Sequence, residues 1–209
     1  GPKIKIHQDD DSSGAYSTNF IQVLGHDQMV YVKWWDVHFL SNGTEQDHLM
    51  FKRMPLGDAT IGKTIELTGN NARPTDIGHD SVIAVGANNV YALWSEYSNL
   101  PSSQVSLILR ASQDGGFSFG DAVDLNSKYN PNSGMSSAQI VTSENNLYVA
   151  GNNMSPSLGI LFGASSDSGK TFSFTNVDAE AIPEFPLSQV MLVMSIASVI
   201  LFYRMRFRK

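Results

Sequence analysis

The amino-acid sequence predicts an all-β protein built from a repeated four-stranded unit. The main observation is a repeated hairpin, in which two short apolar runs flank a tight polar turn. The aligned segments are residues 21–35, 81–95 and 138–152. Tyr31, Tyr91 and Tyr148 occupy equivalent places, 60 and 57 residues apart. β-Branched and aromatic residues in the arms, with Gly, Asn or Asp at the bend, are typical of β-hairpins.

A third and a fourth strand complete each unit. Further apolar runs begin at His48, Ser106 and Gly159, and each leads into a turn and another short strand. A four-stranded unit repeated radially is typical of a β-propeller, and a β-sandwich or barrel is the alternative. Residues 1–6 match the last strand of such a unit. We therefore expect a partial β-propeller of about three blades plus one strand over residues 1–178.

Three blades do not close a ring, since propellers typically contain about 4–8 blades. An open row of three would leave blade faces and strand edges exposed. The sequence is therefore interpreted as the C-terminal part of a larger propeller. A row of blades that closes by self-association is the alternative.

One short acidic turn occurs twice between the third and fourth strands. Residues 111–119 read ASQDGGFSF and residues 164–172 read ASSDSGKTF, and both fit Ser-x-Asp-x-Gly-x-(Ser/Thr)-Phe. The aspartate is placed to accept backbone N–H groups of its own turn, and the glycine permits a positive φ. The predicted structural residues are Ser112, Asp114, Gly116, Phe119, Ser165, Asp167, Gly169 and Phe172.

This turn resembles the Asp-box of sialidases and other BNR-type propellers. The resemblance extends through the blade repeat over residues 1–178. It implies that the Asp-box has a structural role at the blade periphery, away from any active site. The chain is therefore expected to carry two Asp-boxes, at residues 112–119 and 165–172.

The charge distribution excludes one class of partner. The net charge is −6, and four basic residues lie at the extreme C-terminus, so the rest of the chain has 10 basic and 20 acidic residues. Such a surface repels phosphate backbones, which excludes nucleic-acid binding. The chain has no Cys, so it has neither disulfides nor thiolate metal sites.

The longer loops predict a candidate ligand face. Loops joining the second to the third strand, and one blade to the next, share one face of a propeller and suit recognition. The candidate ligand-face residues in them are Arg73, Asp76, Tyr97 and Tyr129. Sialidases, by resemblance, hold a carboxylate with three arginines, but Arg53 and Arg110 are expected beside the opposite face. No catalytic residue is therefore assigned, and an enzyme is less favoured than a binding protein.

No cofactor or metal site is predicted. The five histidines are scattered, without the spacing of a metal motif. Asp9 and Asp11 have a spacing found in calcium loops, which leaves calcium as the alternative. The twelfth position of that loop is Phe20 rather than the glutamate that such a loop requires. An acidic exposed turn is the favoured interpretation.

The C-terminal region predicts a membrane anchor. Residues 187–203 contain no charge and are followed by the basic segment 204–209, which predicts a transmembrane helix with a cytoplasmic end. Residues 179–186 form a linker that contains the motif Pro183-Glu184-Phe185-Pro186. The motif, the span and the basic end resemble archaeal PEF-type sorting signals. That resemblance implies processing by an archaeosortase-type enzyme.

These observations favour a cell-surface protein whose N-terminal domain is extracellular. The leading interpretation is a binding or surface-layer module that contacts an extracellular glycan or a surface protein. One alternative is an exo-glycosidase of sialidase type that needs blades absent from this chain. Another alternative is a non-functional propeller fragment.

Overall fold

The computed structural model describes residues 16–39, 43, 45–57, 62–68, 77–97, 105–129, 134–154 and 159–177. The strands of these residues are β1 (Tyr16–His26), β2 (Met29–Phe39), β3 (Glu45–Pro55), β4 (Ile65–Glu66), β5 (Ile77–Gly86), β6 (Asn89–Tyr97), β7 (Val105–Ser112), β8 (Val123–Asp124), β9 (Met135–Ser143), β10 (Asn146–Asn153), β11 (Ile160–Ser165) and β12 (Ser173–Val177). A five-residue helix, α1, spans Leu125–Tyr129.

The described strands form three four-stranded antiparallel sheets, each in sequence order. We call them blade 1 (β1–β4), blade 2 (β5–β8) and blade 3 (β9–β12). The prediction of an all-β fold with three four-stranded units is therefore confirmed. Helix α1 was not predicted, because Leu125 and Asn126 were interpreted as the end of a fourth strand and residues 127–129 as part of a loop between blades.

The core lies in the two seams between neighbouring blades. In β2, Tyr31 and Trp35 face blade 2 and pack with Phe51 against Val90 and Trp94. The second seam joins Tyr91, Leu93, Leu107 and Leu109 of blade 2 to Met135, Leu147 and Val149 of blade 3. Because the middle strands are covered on both faces, β2 is buried from Tyr31 to Val37 without the polar alternation of a half-exposed strand.

The other side of blade 1 carries a smaller cluster. Val32, Trp34 and Met54 are buried there, with Val30 and Met50 packed against them. This cluster faces away from blade 2, because its β2 residues alternate with those that enter the first seam.

The first strands of neighbouring blades are in contact along the inner side of the row. Between blades 1 and 2, the Gln22 side chain donates a hydrogen bond to the Ile83 carbonyl (3.3 Å) and accepts one from the Ile83 N–H (2.8 Å). This pair of bonds fixes the register between β1 and β5.

Several predicted elements lie outside the described residues, among them the strand at residues 1–6 and the tail at residues 179–209. Residues Gly1–Asn176 form one compact unit and Val177–Lys209 a second. Within the described part of the chain, no helix has the length and apolar character needed to cross a membrane.

Candidate functional site

The first repeated turn is a closed hydrogen-bond network around Asp114. One carboxylate oxygen of Asp114 accepts the backbone N–H groups of Phe117 (2.9 Å) and Ser118 (3.0 Å), and the other accepts the Ser118 hydroxyl (2.6 Å). The Ser112 hydroxyl donates to Asp114 (2.7 Å) and accepts the N–H of Gly116 (2.8 Å). All these bonds are local to the turn.

The second turn repeats this network around Asp167. Its carboxylate accepts the N–H groups of Lys170 (3.0 Å) and Thr171 (2.9 Å) and the Thr171 hydroxyl (2.6 Å). The Ser165 hydroxyl donates to Asp167 (2.8 Å) and accepts the N–H of Gly169 (2.9 Å). Ser165 and Thr171 therefore have the same bonding roles as Ser112 and Ser118 in the first turn.

These bonds keep both aspartates ionised. The Ser118 hydroxyl and N–H lower the pKa of Asp114 well below its usual range. The Thr171 hydroxyl and N–H do the same to the pKa of Asp167. A carboxylate that prefers its charged form at neutral pH is unsuited to donating a proton, so neither aspartate has the character of a general acid.

The turn glycines pack against the preceding blade. Gly116 has a φ of 86°, and a Cβ atom added there would lie 3.0 Å from Cζ of Phe51 in blade 1. Gly169 has a φ of 84°. A Cβ atom added there would lie 3.4 Å from Leu109 of blade 2 and 3.3 Å from Leu147 of its own blade. The glycine is therefore needed both for the left-handed backbone and for the seam.

The phenylalanine that ends each turn enters the neighbouring apolar cluster. The Phe119 ring meets Phe51 edge-on at 5.0 Å between ring centres. The Phe172 ring lies 5.8 Å from those of Tyr129 and Phe174.

In each blade, a backbone hydrogen bond joins the turn that follows the third strand to the turn between the first and second strands. The N–H groups of Leu56, Gly115 and Ser168 donate to the carbonyls of Gln28, Asn88 and Asn145, at 2.6, 2.7 and 3.0 Å. Blade 1 makes the bond although its sequence lacks the repeated Asp-box motif. The bond therefore belongs to the four-stranded unit itself.

Both arginines at the ends of the third strands take part in seams. The Arg53 guanidinium donates to the Gly115 carbonyl (2.8 Å) and lies over the Phe117 ring of blade 2. Arg110 of blade 2 donates to the carbonyl of Leu67 in blade 1 (2.8 Å) and to that of Gly120 in its own blade (2.8 Å). Burial lowers the pKa of Arg110. One bond from each arginine to a backbone carbonyl, Arg53 to Gly115 and Arg110 to Leu67, therefore ties blade 1 to blade 2.

The predicted ligand face is described only in part. Arg73 and Asp76 lie outside the described residues, as do Asp9, Asp11 and the sorting motif, and the Tyr97 side chain is likewise not described. Tyr129 ends α1 against Phe172 and Phe174, and its hydroxyl donates to the Lys170 carbonyl (2.9 Å). Its ring and hydroxyl therefore contact the second Asp-box and the strand that follows it.

The inner strands carry a bulge at the same place in each blade. Pairing with the second strand is interrupted between Asn19 and Gln22 in β1, between Gly78 and Ser81 in β5, and between Ser136 and Gln139 in β9. Phe20, Asp80 and Ser137 occupy equivalent positions, and we call them the inner rim. Phe20 and Ser137 have left-handed φ values of 53° and 48°. Strained backbone and bulges are enriched at binding sites.

The inner rim brings a carboxylate to the surface between two blades. Asp80 and Ser137 are exposed, and the Ser137 hydroxyl donates to the Asp80 carboxylate at 3.0 Å. This bond orients the carboxylate and leaves it further acceptor positions, since an ionised carboxylate accepts about four hydrogen bonds.

A buried lysine supports the bulge of blade 1. Lys33 is only 3% exposed, and its ammonium donates to the Phe20 carbonyl (2.9 Å) and to the Ser81 hydroxyl (2.6 Å). The Trp35 indole also donates to Ser81 (2.8 Å). Burial lowers the pKa of Lys33 to about 8. Lys33 therefore satisfies a carbonyl that the bulge removes from the strand ladder.

A groove of about 480 Å³ lies between the two Asp-boxes. Its apolar part is formed by Leu109, Ala111 and Val123, and its charged lining includes Asp121 and Lys170. In the described part of the chain, no group of three or more His, Asp or Glu residues is placed to hold a metal ion.

Asn126 is a structural residue that sequence reasoning missed. Its buried amide donates to the carbonyls of Val105 (2.8 Å) and Met135 (3.0 Å) and accepts the Met135 N–H (2.8 Å). Asp124 caps this turn by accepting the N–H of Asn126 (3.0 Å). The Asp-x-Asn pattern is a weak signal, because both residues are equally common in exposed turns.

Comparison with known proteins supports the fold. No family model matches the chain, and no curated protein sequence matches it either. Among solved structures, it is similar to the Hadza microbial sialidase Hz136, with 16% identity and a TM-score of 0.50 over 79% of this chain and 38% of that one. It is also similar to a Trypanosoma rangeli sialidase in complex with 2,3-difluorosialic acid (covalent intermediate). The identity is 13% and the TM-score 0.51, over 77% of this chain and 30% of that one.

These similarities define the class of fold. The described blades have a sialidase-like β-propeller architecture, and at these identities the likeness shows the fold alone. The chain spans 38% and 30% of the length of the two sialidases. The sequence prediction of a BNR-type, sialidase-like blade repeat is confirmed at the level of fold.

Proposed function

We propose that the chain is a cell-surface β-propeller module that binds an extracellular glycan or a surface protein. The inner rim and the loops that lead into it form the binding site. The observation that carries this proposal is the repeated bulge at Phe20, Asp80 and Ser137. A bulge redirects side chains that would otherwise follow the strand, and here it exposes polar groups at the junction of blades.

The chemistry of the rim suits a hydroxyl-rich ligand. The exposed Asp80 carboxylate accepts hydrogen bonds from ligand hydroxyls while Ser137 holds it in place. Phe20 is 53% exposed and offers an apolar ring surface to a sugar face or a protein side chain. Polar acceptors beside an aromatic surface are typical of recognition sites.

A glycan array tests this site. The full chain is labelled and screened against sialylated and neutral glycans, alone and as Asp80→Asn and Ser137→Ala. We expect binding to weaken by about 10- to 100-fold in Asp80→Asn, since one charge-assisted hydrogen bond contributes on the order of 1.5–3 kcal/mol. Asp121→Asn, a change of an exposed aspartate in the groove between the Asp-boxes, should bind like the wild type. Equal binding by Asp80→Asn and wild type would contradict the proposed site.

The surface location rests on the C-terminal sequence. The uncharged residues 187–203 span the membrane, residues 204–209 lie on the cytoplasmic side, and the blades are displayed outside. The PEFP motif at residues 183–186 directs an archaeosortase-type enzyme to the linker. Deleting residues 183–209 should release the protein from the membrane fraction, and membrane association that survives the deletion would contradict the anchor.

A sialidase-type glycosidase is the second candidate. The observation that favours it is the similarity to two solved sialidases. Because Arg53 and Arg110 are used in the seams, this activity would need Arg73 together with arginines from further blades. Hydrolysis of a fluorogenic sialoside by the full-length protein, lost in Arg73→Ala, would favour the enzyme over the binding module.

A further inference from the structure

The two seams differ at one position near the end of the third strand. Arg53 of blade 1 lies opposite Tyr31 in the strand register, and Ala111 of blade 2 lies opposite Tyr91. Since Tyr31 and Tyr91 are equivalent in the blade repeat, Arg53 and Ala111 occupy the same place in their blades. The first seam therefore has a guanidinium where the second seam has a methyl group.

In the first seam, the Arg53 side chain fills the space beside the Asp-box of blade 2. Its guanidinium donates to the Gly115 carbonyl (2.8 Å) and lies 3.4 Å from the centre of the Phe117 ring. The chain thus contains one complete example of an Asp-box that holds a guanidinium group. A turn carbonyl accepts the hydrogen bond, and the side chain two residues later covers the face of the guanidinium.

In the second seam, the same place belongs to the groove of about 480 Å³ between the two Asp-boxes. Ala111 lines this groove, and so does Ser168, the equivalent of Gly115 in the backbone bond that joins two turns of each blade. Among the described residues, no side chain donates a hydrogen bond to the Ser168 carbonyl. The groove is therefore open where Arg53 fills the first seam.

The charges around the groove suit a cation from outside the chain. Asp121, an exposed residue of the lining, stands two residues before the fourth strand, where blade 1 has Lys63. The ionised Asp114 also lines the groove. Lys170, in the place of Phe117, is exposed, and its long side chain can carry the ammonium into solvent. Two carboxylates against one ammonium leave the groove with an excess of negative charge.

We propose that this groove binds an arginine side chain of a partner protein, in the place that Arg53 fills in the first seam. The Ser168 carbonyl accepts guanidinium N–H groups, and the two carboxylates balance the charge. A lysine fits less well, because an ammonium lacks the planar fork of donors. The groove shares no residue with the inner rim, and a glycan without a guanidinium group has no charge partner in it, so the two sites can be tested separately.

The test is an NMR titration of the isotope-labelled full chain, in detergent, with the peptide acetyl-Gly-Arg-Gly-amide. We expect the amide signals of Ser168, Gly169 and Lys170 to shift and to saturate in the millimolar range, since a single side chain makes the contact. Citrulline or lysine in place of the arginine should weaken binding about fivefold or more, because citrulline lacks the charge and lysine lacks the planar donors.

Two variants copy features of the first seam into the second. Ala111→Arg supplies the guanidinium from within the chain and should abolish peptide binding. Lys170→Phe supplies the ring that Phe117 provides for Arg53. It should tighten binding about threefold or more, because it adds a cation–π contact and removes a like charge. Lys63→Phe, the same change at an exposed lysine of blade 1, is the control and should bind like the wild type.

Three results would overturn the proposal. If neither the wild type nor Lys170→Phe gives saturable shifts, the groove does not hold an arginine. If the citrulline or the lysine peptide binds as well as the arginine peptide, the groove does not recognise the guanidinium. If Ala111→Arg has native circular dichroism and still binds the peptide, the peptide binds elsewhere on the chain.

Discussion

The Arg53 guanidinium lies 3.4 Å from the centre of the Phe117 ring, although the two residues belong to neighbouring blades. Phe117 is 70% exposed and belongs to the Asp-box of blade 2. The same guanidinium donates to the Gly115 carbonyl of that turn. One side chain of blade 1 therefore holds the Asp-box of blade 2 through a stacking contact and a hydrogen bond.

Replacing Arg53 should weaken the seam between blades 1 and 2. We expect Arg53→Ala to lower the free energy of unfolding by about 1–2 kcal/mol, since it removes a cation–π contact and a charge-assisted hydrogen bond. Arg53→Lys should recover only part of this stability, because an ammonium can still donate a hydrogen bond but lacks the planar surface that stacks on Phe117. Urea denaturation measures both changes. Lys63→Ala, at an exposed lysine, is the control, and equal effects at positions 53 and 63 would contradict the role of Arg53.

Gly116, on the blade 2 side of the seam between blades 1 and 2, allows a second test of that seam. Gly116→Ala combines left-handed backbone strain of about 1–2 kcal/mol with overpacking against Phe51 of about 1–3 kcal/mol. Gly57→Ala is a matched control, because Gly57 has a φ of 84° and nothing within 4 Å of the added Cβ. Thermal or urea unfolding should show a clearly larger loss for Gly116→Ala. Equal losses would mean that the packing against Phe51 contributes little.

The Asp-box aspartates should make stability depend on acidity. Because the pKa of Asp167 is lower in the folded chain than in the unfolded chain, protons bind the unfolded state first as the pH falls. Its stabilising contribution is complete above the unfolded pKa of about 4 and is lost as the pH falls towards the folded value.

The Thr171 hydroxyl is the main cause of that lowered pKa, so it can be tested directly. Thr171→Val should raise the pKa of Asp167 and move acid unfolding to a higher pH. Thr171→Ser keeps the hydroxyl, so the pKa of Asp167 and the pH of acid unfolding should both stay near their wild-type values. NMR titration of the Asp167 carboxyl carbon measures the pKa. A Thr171→Val variant with an unchanged Asp167 pKa would show that the backbone N–H groups and the Ser165 hydroxyl hold the charge without the Thr171 hydroxyl.

The strand pattern was predictable, because its causes are local. Alternating apolar residues around two-residue polar turns mark the hairpins that β1 with β2, β5 with β6, and β9 with β10 form. The repeated Asp-box letters likewise have a local cause, since the bonds of Asp114 and Asp167 stay within five residues.

The contacts between blades were not predictable from one sequence. The Arg53 side chain reaches a turn 62 residues away, so no local pattern marks its partner. The bulge positions Phe20, Asp80 and Ser137 share no residue type, because a bulge is a feature of strand register. Asn126 in helix α1 bonds to the carbonyls of Val105 and Met135, which are distant in sequence, so no local pattern marked a helix where a strand end and a loop were predicted.

Lys33 should give stability a second pH dependence, in the alkaline range. The folded pKa of about 8 lies below the unfolded value, so the unfolded state binds more protons between them. Stability should therefore rise from about pH 8 to pH 10, by up to about 3 kcal/mol. Lys33→Met should flatten this rise in urea denaturation curves, whereas Lys63→Met should keep it. If the stability of Lys33→Met still rises steeply over this pH range, the rise must come from other titrating groups.

Asn126 should be the most sensitive polar residue of the second seam. It is 7% exposed and makes three hydrogen bonds to backbone atoms of β7 and β9. We expect Asn126→Ala to lower the free energy of unfolding by about 2–4 kcal/mol, since buried backbone groups lose their bonds.

Asn126→Asp separates lost bonds from lost volume. An aspartate keeps the acceptor for the Met135 N–H but loses both donated bonds and places a charge beside two carbonyl oxygens. It should be at least as destabilised as Asn126→Ala at neutral pH and should recover partly in acid, where the protonated carboxyl donates again. Asn152→Ala, at an exposed asparagine of β10, is the control. A loss at Asn126 below about 0.5 kcal/mol, typical of surface changes, would mean that water replaces its bonds.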